Sequence, residues 1–532
     1  LLAYNPHIST GLLMAITQLE FIIPADHGFS ELLASFKNSF YANLQAETVN
    51  YRVFYDTFDW RLYNNGAVLE VHEEEGQSRR IYWRADKDSD LKIQLGLRQV
   101  PQLASDLAQS EFCRQLQSVI SVRELVPRIK IKTKRLPLVV LDKNKKVVVR
   151  LSFDEQWYFP SKTRAGVVLG KRITIKPVKG YEDEYNRVVE FFRPLQLHEA
   201  RDDVLKLALD ESGISTTEYT TKLDLLREAE IPAEQELKQI LLRLLDIMQQ
   251  NSAGSIRGRD TEFMHDYRVS IRKTRSALTQ ISKVLPGDII SKYNKFFSGL
   301  GKLTNPVRDL DVFQIKLESY QRNLSKTAQQ RLQPLRDYLA HSRVEAQKKF
   351  INRLKSAEYR QRIKEWREYL ENPQPTDPPL ENTRKEIYKL ADELIWNMYQ
   401  LALEEGNAIT DDTEAEALHE LRKTCKKLRY LMEFFQSLYP ANKIRELIQA
   451  LKGLQDNLGE YNDLHVHGGI LEIFIKQSSD TDANKACKQV IKFLERRQVK
   501  TRRRFAERFA SFSSTGIQQE FKDLFVDSHK NQ

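Results

Sequence analysis

The sequence contains two matching series of basic residues, each headed by a histidine. Counted from His265 and from His419, positions +3, +7, +8 and +10 are basic in both series, and position +1 is acidic. The basic residues are Arg268, Arg272, Lys273 and Arg275 in the first series, and Arg422, Lys426, Lys427 and Arg429 in the second. Guanidinium and ammonium groups donate strong, charge-assisted hydrogen bonds to phosphate and carboxylate oxygens. The two series therefore indicate binding of an anionic partner.

The two series belong to a longer internal repeat. His419 follows His265 by 154 residues, and Asp463 follows Asp309 by the same 154. The segments around these aspartates, Arg308-Asp309-Leu310 and Asn462-Asp463-Leu464, also match. Chance does not readily produce equal offsets without a gap, so the sequence predicts a duplicated helical unit.

Helical geometry explains the spacing of the basic residues. At about 100° per residue, positions 0, +3, +7 and +10 fall within a sector about 80° wide, which we call the basic column. The neighbouring sector is apolar, with Tyr267, Ile271 and Leu278 in the first repeat and Leu421, Cys425 and Met432 in the second. Like charges three and four residues apart repel by roughly a few tenths of a kcal/mol per pair. Neither column contains a carboxylate, so an external anion would offset this repulsion.

Duplication suggests that the two repeats pair about a pseudo-twofold axis and that both columns line one groove. A single extended anion would then face Arg268, Arg272, Arg275, Arg422, Lys426 and Arg429, with Lys273 and Lys427 at its margin. Two further clusters, about 155 residues apart, are predicted to extend this surface: Lys348, Lys349 and Arg353, and Arg503, Arg504 and Arg508. His265 and His419 are expected to contact phosphate, with a charge that varies near neutral pH.

Other readings of the same residues stay open. A single basic stripe is most often a solvated helix face paired with acids of neighbouring helices, and a lone histidine at a helix start is most often structural. Asp309 and Asp463 are interpreted as structural residues that cap a helix or hold an arginine. Metal binding by the histidines is not expected, because neither has a second ligand at i+3 or i+4.

The wider sequence divides into two regions with different patterns. Short runs rich in β-branched and aromatic residues fill the first two hundred residues, whereas apolar residues recur at three- and four-residue steps after about position 233. The predicted fold is an N-terminal α+β antiparallel barrel followed by an all-α domain of two pseudo-symmetric helical bundles. The predicted boundaries are an N-terminal extension 1–13, the barrel domain 14–205, a linker 206–231, a first helical lobe 232–371, a Pro-rich linker 372–380 and a second lobe 381–530.

Composition supports an anionic partner. The formal net charge is +10, and residues 216–532 carry 53 Lys and Arg against 45 Asp and Glu, a net of +8. The three cysteines have no metal-type spacing, which favours a reducing compartment, and no apolar run is long enough to cross a bilayer. The sequence therefore predicts a cytoplasmic protein without a membrane partner.

Both halves of the region 232–530 resemble the CHAD family. The resemblance rests on the His-x-x-Arg-x-x-x-Arg/Lys-Lys-x-Arg helices, on Arg308-Asp309-Leu310-Asp311-Val312 and on Leu458-Gly459-Glu460-Tyr461-Asn462-Asp463-Leu464. It implies two pseudo-symmetric helical bundles that bind inorganic polyphosphate along a basic groove, without catalysis. It assigns binding to the histidines and basic residues of the two series.

The region of about residues 14–205 resembles a CYTH domain, a triphosphate-tunnel fold. The resemblance rests on Tyr55-Asp56-Thr57-Phe58-Asp59-Trp60-Arg61-Leu62, on Leu125 to Arg135 and on Leu151-Ser152-Phe153-Asp154. Active members open with Glu-x-Glu-x-Lys, whose carboxylates hold divalent metal. This chain has Gln18, Glu20 and Ile22 there, and Glu70 and His72 where a basic pair is expected. Glu20 is thus a weak candidate metal ligand, and the domain is predicted to have lost its catalytic function.

The leading functional hypothesis is a non-enzymatic, cofactor-free polyphosphate-binding protein, and polyphosphate granules are one location that this hypothesis allows. One alternative is a metal-dependent triphosphate or polyphosphate hydrolase in the N-terminal domain. Another is a nucleic-acid-binding protein. It is less favoured, because the columns lack interleaved aromatic residues and because Tyr267 and Tyr430 point elsewhere on the helical wheel.

Overall fold

The structure is a computed structural model that describes most of the chain. The described residues are 18–24, 28–74, 78–85, 93–107, 110–159, 165–195, 197–200, 203–217, 219–221, 223, 231–372, 379–410 and 412–527. The predicted extension 1–13 and residues 373–378 of the predicted Pro-rich linker lie outside them. The chain divides into two compact units, Leu1–Tyr219 and Thr220–Gln532. This division falls inside the predicted linker 206–231, whose first residues belong to a helix, Val204–Ser212, rather than to a loop.

In its described residues, the N-terminal unit is built on an antiparallel sheet of ten strands. The strands are β1 (Leu19–Ile23), β2 (Ala42–Leu44), β3 (Thr48–Asp56), β4 (Val68–Glu74), β5 (Arg80–Arg84), β6 (Ile93–Leu95), β7 (Val126–Leu141), β8 (Val147–Phe159), β9 (Val167–Pro177) and β10 (His198–Glu199). The helices are α1 (Phe29–Ser39), α2 (Arg61–Asn64), α3 (Glu111–Ile120), α4 (Glu182–Phe192) and α5 (Val204–Ser212). The sheet order is β10-β1-β9-β8-β7-β3-β4-β5-β6, and β2 pairs with β7.

Alternation along the strands gives this sheet two different faces. On β8, Leu151 and Phe153 join an apolar core that includes residues of α1 and α4. Ser152 and Asp154, which alternate with them, are buried polar residues of the opposite face. One face is therefore a hydrophobic core, and the other places polar side chains where the sequence predicted a barrel interior.

The predicted α+β antiparallel architecture is confirmed, but the strands form an open sheet in the described part of the chain. The terminal strands β10 and β6 do not pair with each other there. They have only two and three residues, too few to form the ladder that closes a barrel.

The C-terminal unit is all helical, as predicted. Its helices are α6 (Ala233–Arg257), α7 (Thr261–Gln280), α8 (Gly287–Gln321), α9 (Lys326–Gln330), α10 (Gln333–Lys355), α11 (Ala357–Glu371), α12 (Ile387–Asn407), α13 (Ala415–Phe435), α14 (Ala441–Gln477), α15 (Thr481–Arg503), α16 (Phe505–Phe512) and α17 (Thr515–Phe525). No helix of the described chain combines the length and apolar character needed to span a membrane.

The duplication is visible in the helix boundaries. α6 and α12 begin at residues 233 and 387, and α8 and α14 at residues 287 and 441, so each pair is offset by 154. Pro286 and Pro440 stand at equivalent N-caps of α8 and α14. α10 and α15 begin at 333 and 481, an offset of 148. The register changes between α8 and α10, where the first repeat has the additional short helix α9.

The two repeats share one hydrophobic core. A single cluster of buried residues includes Leu241 of α6, Ile271 of α7, Ile395 of α12 and Leu428 of α13. A second cluster joins the C-terminal halves of α8 and α14, through residues such as Phe313 and Leu471. The predicted pair of pseudo-symmetric bundles is therefore present, and the bundles are fused through their apolar faces.

Candidate functional site

Close packing holds the first basic column in place. The ring of Phe263, on α7, packs directly on Gly254 of α6, where a Cβ atom would collide with it. Tyr267 and Ile271 are fully buried, and the Tyr267 hydroxyl lies 3.1 Å from the hydroxyl of Tyr359. Each such side chain contributes roughly 1.5–3 kcal/mol by leaving water. The predicted apolar stripe is therefore the face that fixes α7 and directs its basic column away from the core.

The second basic column is fixed in the same way. Leu421, Cys425 and Met432 of α13 are fully buried in the shared core. The apolar stripes of both repeats are thus confirmed residue by residue.

The structure brings four of the predicted cations into one cluster. Its members are Arg268 and Arg272 from α7 and Arg422 and Lys426 from α13, and we call it the central cluster. Burial, together with repulsion from Arg272, Arg422 and Arg268, lowers the pKa of Lys426 to about 6. Burial and the charge of Arg272 also lower the pKa of Arg268, to about 10. Three arginines beside a lysine whose charge is suppressed make a site where an added anion would be strongly stabilised.

One donor in the central cluster has no hydrogen-bond acceptor. The Nε of Arg422 is buried and has no partner among the residues that the structure describes. An unpaired buried donor costs about 1–3 kcal/mol, and burial with repulsion from Arg272 lowers the pKa of the Arg422 guanidinium. An oxyanion would accept a hydrogen bond from this Nε, and its charge would offset the repulsion from Arg272.

Two aspartates flank the central cluster. Asp309 of α8 lies close enough to Arg268 and Arg422 for their charges to lower its pKa, but burial and the charge of Asp463 on α14 outweigh them and raise it. Asp463 in turn stabilises the charged forms of Arg422 and Lys426. The predicted interpretation of both aspartates as residues that hold arginines fits this placement.

Neutral amides orient two arginines of the first column. Arg268 donates its Nε to the Asn305 side-chain oxygen at 2.9 Å, and Arg275 donates its Nε to the Asn294 oxygen at 3.3 Å. Both asparagines are on α8. Because an amide carries no net charge, these contacts position the guanidinium groups without neutralising them.

Glu433 gives two predicted binding residues a different environment. The buried Lys273 ammonium lies 2.9 Å from Glu433 of α13, and Arg429 donates its Nε to the same carboxylate at 2.6 Å and an Nη to Gln455 at 3.3 Å. The prediction that the columns contain no carboxylate is wrong at this point, because Glu433 lies one helical turn after Arg429 and pairs with it. Lys427, by contrast, is exposed.

The helical wheel suggested that Tyr430 is directed away from the basic column, but the structure places its ring beside a cation of that site. Its ring centroid lies 5.8 Å from the Arg272 guanidinium, and its hydroxyl is close enough to influence the pKa of Arg268 and Arg422. The wheel misplaced it because the ring reaches across to the facing helix of the other repeat.

His265 does not titrate near neutral pH, contrary to the prediction. Burial, followed by the charge of Arg308, lowers its pKa to about 4. Its imidazole is therefore neutral at pH 7 and can donate one hydrogen bond. His419 is half-buried at the equivalent position of α13.

The central cluster borders a large groove. Its volume is about 980 Å³, and its lining includes His265, Arg272, Lys426, Tyr430 and Glu433 together with residues of α14. A second hollow of about 500 Å³, which we call the α8 hollow, lies along α8 and is lined by Ser291, Asn294, Lys295, Ser298, Gly299 and Lys302. Lys295 and Lys302 were not predicted as binding residues, since neither belongs to the repeated motif.

The two further basic clusters do not extend the site as predicted. Some of their residues pair with nearby acids, and the two clusters do not occupy equivalent positions in the two repeats. Lys348 pairs with Glu345 at 2.7 Å, and Arg353 pairs with Glu358 at 2.6 Å. Lys349 is exposed, as are Arg503, Arg504 and Arg508. The offset near 155 that related the two clusters is wrong, because α10 and α15 are 148 residues apart. By that offset the equivalents of Lys348, Lys349 and Arg353 are Arg496, Arg497 and Thr501.

The polar face of the N-terminal sheet consists largely of arginine–carboxylate pairs. Arg135 donates its Nη to Asp154 at 2.7 Å, and an Nη of Arg172 lies 3.2 Å from Glu20. Glu70 is only 1% exposed and pairs with Arg52 at 2.7 Å, and His72 lies 3.4 Å from the same carboxylate. The acids of this face are therefore already neutralised by the protein itself.

These residues do not fit the divalent metal that the CYTH resemblance implies. Glu20 accepts from the Gln18 amide at 2.6 Å and pairs with Arg172, and its neighbour on β9 is Thr174, which has no charge. Across the part of the chain that the structure describes, no three His, Cys, Asp or Glu residues are grouped to hold a metal ion. Metal-assisted phosphate hydrolysis needs clustered carboxylates, which the described residues of this face do not supply.

Comparison with protein families identifies the helical region. Residues 239–472, which contain both basic columns, match the model of the CHAD domain family. The resemblance seen in the sequence is thus confirmed, and the helical unit of this chain carries a CHAD domain. No curated protein matches the chain significantly in sequence.

Several solved structures resemble parts of the chain. The CHAD domain from the plant Ricinus communis is 24% identical, with 56% of this chain and 96% of that chain covered and a TM-score of 0.46. PptA from Streptomyces chartreusis is 13% identical, with 52% and 99% covered and a TM-score of 0.43. A putative adenylyl cyclase from Hippeastrum, reported to have a dominant triphosphatase activity, is 13% identical, with 38% and 99% covered and a TM-score of 0.24.

Proposed function

We propose that the helical unit binds inorganic polyphosphate in the groove between its two repeats. The observation that carries this proposal is the central cluster, in which three arginines and Lys426 are partly buried against one another. Their mutual repulsion disfavours the free state, and a ligand with closely spaced negative charges would relieve it. Polyphosphate has one negative charge on each repeating unit and no bulky substituent, so successive phosphates can contact successive cations.

The binding mechanism follows from the donors that line the site. Arg268, Arg272 and Arg422 would each donate paired hydrogen bonds to phosphate oxygens, and Lys426 would become protonated as the anion enters. Each neutralised phosphate releases a condensed counterion, so affinity should fall steeply with salt. The neutral imidazole of His265 would add one hydrogen bond at the edge of the cluster.

The proposed function is binding without catalysis. The central cluster is made of cations held in place by amides and aspartates, which suits retention of a polyanion rather than attack on it. A protein that binds polyphosphate in this way would associate with polyphosphate granules in the cytoplasm, and this location belongs to the proposal.

The test is a titration of the full chain with size-defined polyphosphate and, separately, with RNA of equal charge, at several salt concentrations. The variant Arg268→Ala/Arg272→Ala/Arg422→Ala/Lys426→Ala removes the central cluster. The charge-matched control Lys364→Ala/Lys485→Ala/Lys488→Ala/Lys492→Ala removes four exposed lysines of the same unit. We expect tight, length-dependent binding of polyphosphate that the first variant loses and the control keeps.

Two outcomes would contradict the proposal. Equal losses in both variants would mean that only overall charge matters, and RNA binding as tight as polyphosphate would favour a nucleic-acid-binding protein. Phosphate release with Mg²⁺ or Mn²⁺, abolished by Glu20→Gln, would favour the hydrolase alternative.

A further inference from the structure

The two ends of the groove differ in charge at the last turn of the two basic columns. Glu433 of the second repeat corresponds, at the 154-residue offset, to Thr279 of the first. Thr279 is exposed, and its hydroxyl donates to the Arg275 carbonyl one turn before it at 2.9 Å. Glu433 is half-buried and charged, because Lys273 and Arg429 keep its pKa low in spite of its burial. The duplicated site is therefore asymmetric in charge.

This asymmetry neutralises cations at the second end only. Glu433 lies 2.9 Å from Lys273 and 2.6 Å from Arg429. Arg275, the equivalent of Arg429, hydrogen-bonds the neutral Asn294, and no ion pair reaches it from any described residue. Arg275 can thus offer its full charge to a ligand, whereas Arg429 shares its charge with Glu433.

The helices that flank the columns continue the difference. In the α8 hollow, Lys295 and Lys302 correspond to Gln449 and Asp456 of α14. Ser291 and Ser298 correspond to Arg445 and Lys452, and Asn294 corresponds to Ile448. Over these positions and the two column ends, the first repeat has Arg275, Lys295 and Lys302, a formal charge of +3. The second has Arg429, Arg445 and Lys452 against Glu433 and Asp456, a formal charge of +1.

The second end also differs in its lining. Beyond the central cluster, the groove is lined there by the apolar side chains of Ile444 and Ile448 and by the Glu433 carboxylate, beside the polar side chains of Arg445, Ser437 and Gln455. An anionic chain that extended in this direction would lose water against apolar side chains and approach a carboxylate. In the opposite direction it would meet serine and asparagine side chains and two lysines.

We propose that the groove is one-ended: a polyphosphate chain extends from the central cluster along the α8 hollow, and Glu433 stops it at the α13–α14 end. This inference rests on the proposed function and adds to it the direction of the chain and a residue that determines specificity for length. Glu433 acts by occupying Lys273 and Arg429, so that these two cations do not extend the binding track.

The experiment compares a long polyphosphate with tripolyphosphate for four forms of the full chain: wild type, Glu433→Thr, Glu433→Gln and Thr279→Glu. Tripolyphosphate can fill only the central cluster, so the ratio of the two affinities reports on the ends of the groove. In Glu433→Thr, two cations at the second end are released, so the ratio of the two affinities should rise about tenfold. The slope of log affinity against log salt concentration should become steeper by about one to two units. Glu433→Gln should change the ratio in the same direction.

Thr279→Glu is the matched control, since it places an acid at the equivalent exposed position of the first end. There we expect the affinity ratio to fall, because Arg275 acquires an acidic partner on the proposed path of the chain. Circular dichroism and thermal unfolding identify a variant that fails to fold; Thr279 is exposed, so Thr279→Glu keeps the test decisive even if the variants of Glu433 unfold.

The outcomes separate the two proposals. If wild type binds neither ligand, the proposed function itself fails. If wild type binds polyphosphate but Thr279→Glu leaves the ratio unchanged, or folded Glu433→Thr lowers it, the one-ended groove is wrong. A raised ratio in Glu433→Thr with a lowered ratio in Thr279→Glu would support it.

Discussion

The guanidinium of Arg272, in the first repeat, lies 5.8 Å from the ring centroid of Tyr430, in the second. This contact joins the two basic columns directly at the central cluster. A cation over an aromatic ring is attracted by about 0.5–2 kcal/mol, so the ring holds Arg272 in position while leaving its hydrogen-bond donors available to a ligand.

Replacement of Tyr430 tests this positioning. Tyr430→Phe keeps the ring and should leave polyphosphate affinity within about twofold of wild type, since the ring face supplies the attraction. Tyr430→Leu should weaken binding by about 0.5–1 kcal/mol, measured by calorimetric titration. Equal losses in the two variants would show that the hydroxyl, not the ring, is the important group.

The dependence of binding on pH should come mainly from Lys426. Its pKa of about 6 means that the ammonium is largely neutral at pH 8 in the free protein. The groups that set this value are Arg272, Arg422 and Arg268, opposed by Asp463. Because an anion favours the charged form, polyphosphate should bind more tightly as pH falls from 8 towards 6, with uptake of a proton. In Lys426→Arg, which keeps its charge, the uptake should disappear and affinity at pH 8 should exceed that of wild type.

The same group affects stability in the opposite sense to an ordinary ion pair. The folded pKa lies below the ordinary lysine value of 10.5, so the unfolded chain binds more protons between about pH 6 and 10.5. The cost of burying the charge is fully present below pH 6 and disappears as the pH rises through that window. Stability without ligand should therefore rise with pH more in wild type than in Lys426→Met. Parallel curves for the two proteins would contradict this assignment.

The ion pairs of the N-terminal sheet should differ widely in their contribution to stability. Arg52→Met would remove the guanidinium that pairs with Glu70 at 2.7 Å, and this carboxylate is only 1% exposed. Loss of one partner of a buried pair typically costs about 3–5 kcal/mol. Arg79→Met breaks the exposed pair with Glu73 and should cost less than about 1 kcal/mol. Scanning calorimetry of the N-terminal unit would measure both, and similar losses would mean that burial does not govern this face.

The packing of α7 against α6 can be tested at Gly254. A Cβ atom there would collide with the Phe263 ring, so Gly254→Ala should destabilise the helical unit by about 1–3 kcal/mol and displace the first basic column. Gly453 is also helical, but a Cβ atom added there meets no atom within 4 Å. Gly453→Ala should therefore stabilise the helix by about 0.5–1 kcal/mol. Chemical denaturation of the two variants would show opposite signs if the packing is as described.

Helical periodicity was sufficient to predict the parts of the site that depend on one helix alone. The buried stripe through Tyr267 and Ile271 and the basic column beside it follow from the angle between successive residues. The offset of 154 residues found in the sequence also separates the first residues of α8 and α14. These features are local, so the order of residues determines them.

The features that the sequence did not predict arise between helices. The neutrality of His265 comes from burial and from Arg308 of α8, neither of which is visible in the pattern around the histidine. Tyr430 reaches the facing helix, and Asn294 and Asn305 orient arginines of another helix. One missed residue had a local signal: Glu433 follows Arg429 by four positions, the spacing at which opposite charges pair on a helix. The openness of the N-terminal sheet depends on the length of its edge strands, which alternation alone does not give.

The core shared by the two repeats has a consequence for how such a molecule can be assembled. A single half, expressed alone, would expose the apolar surface of α6 and α7 and could bury it only by pairing with another copy. Two identical copies in a closed dimer would be related by a twofold axis, so both ends of their groove would have to be the same. Covalent fusion removes this constraint and makes the association independent of concentration. A carboxylate at one end only, as at Glu433, is a difference that a tethered pair can keep and a homodimer cannot.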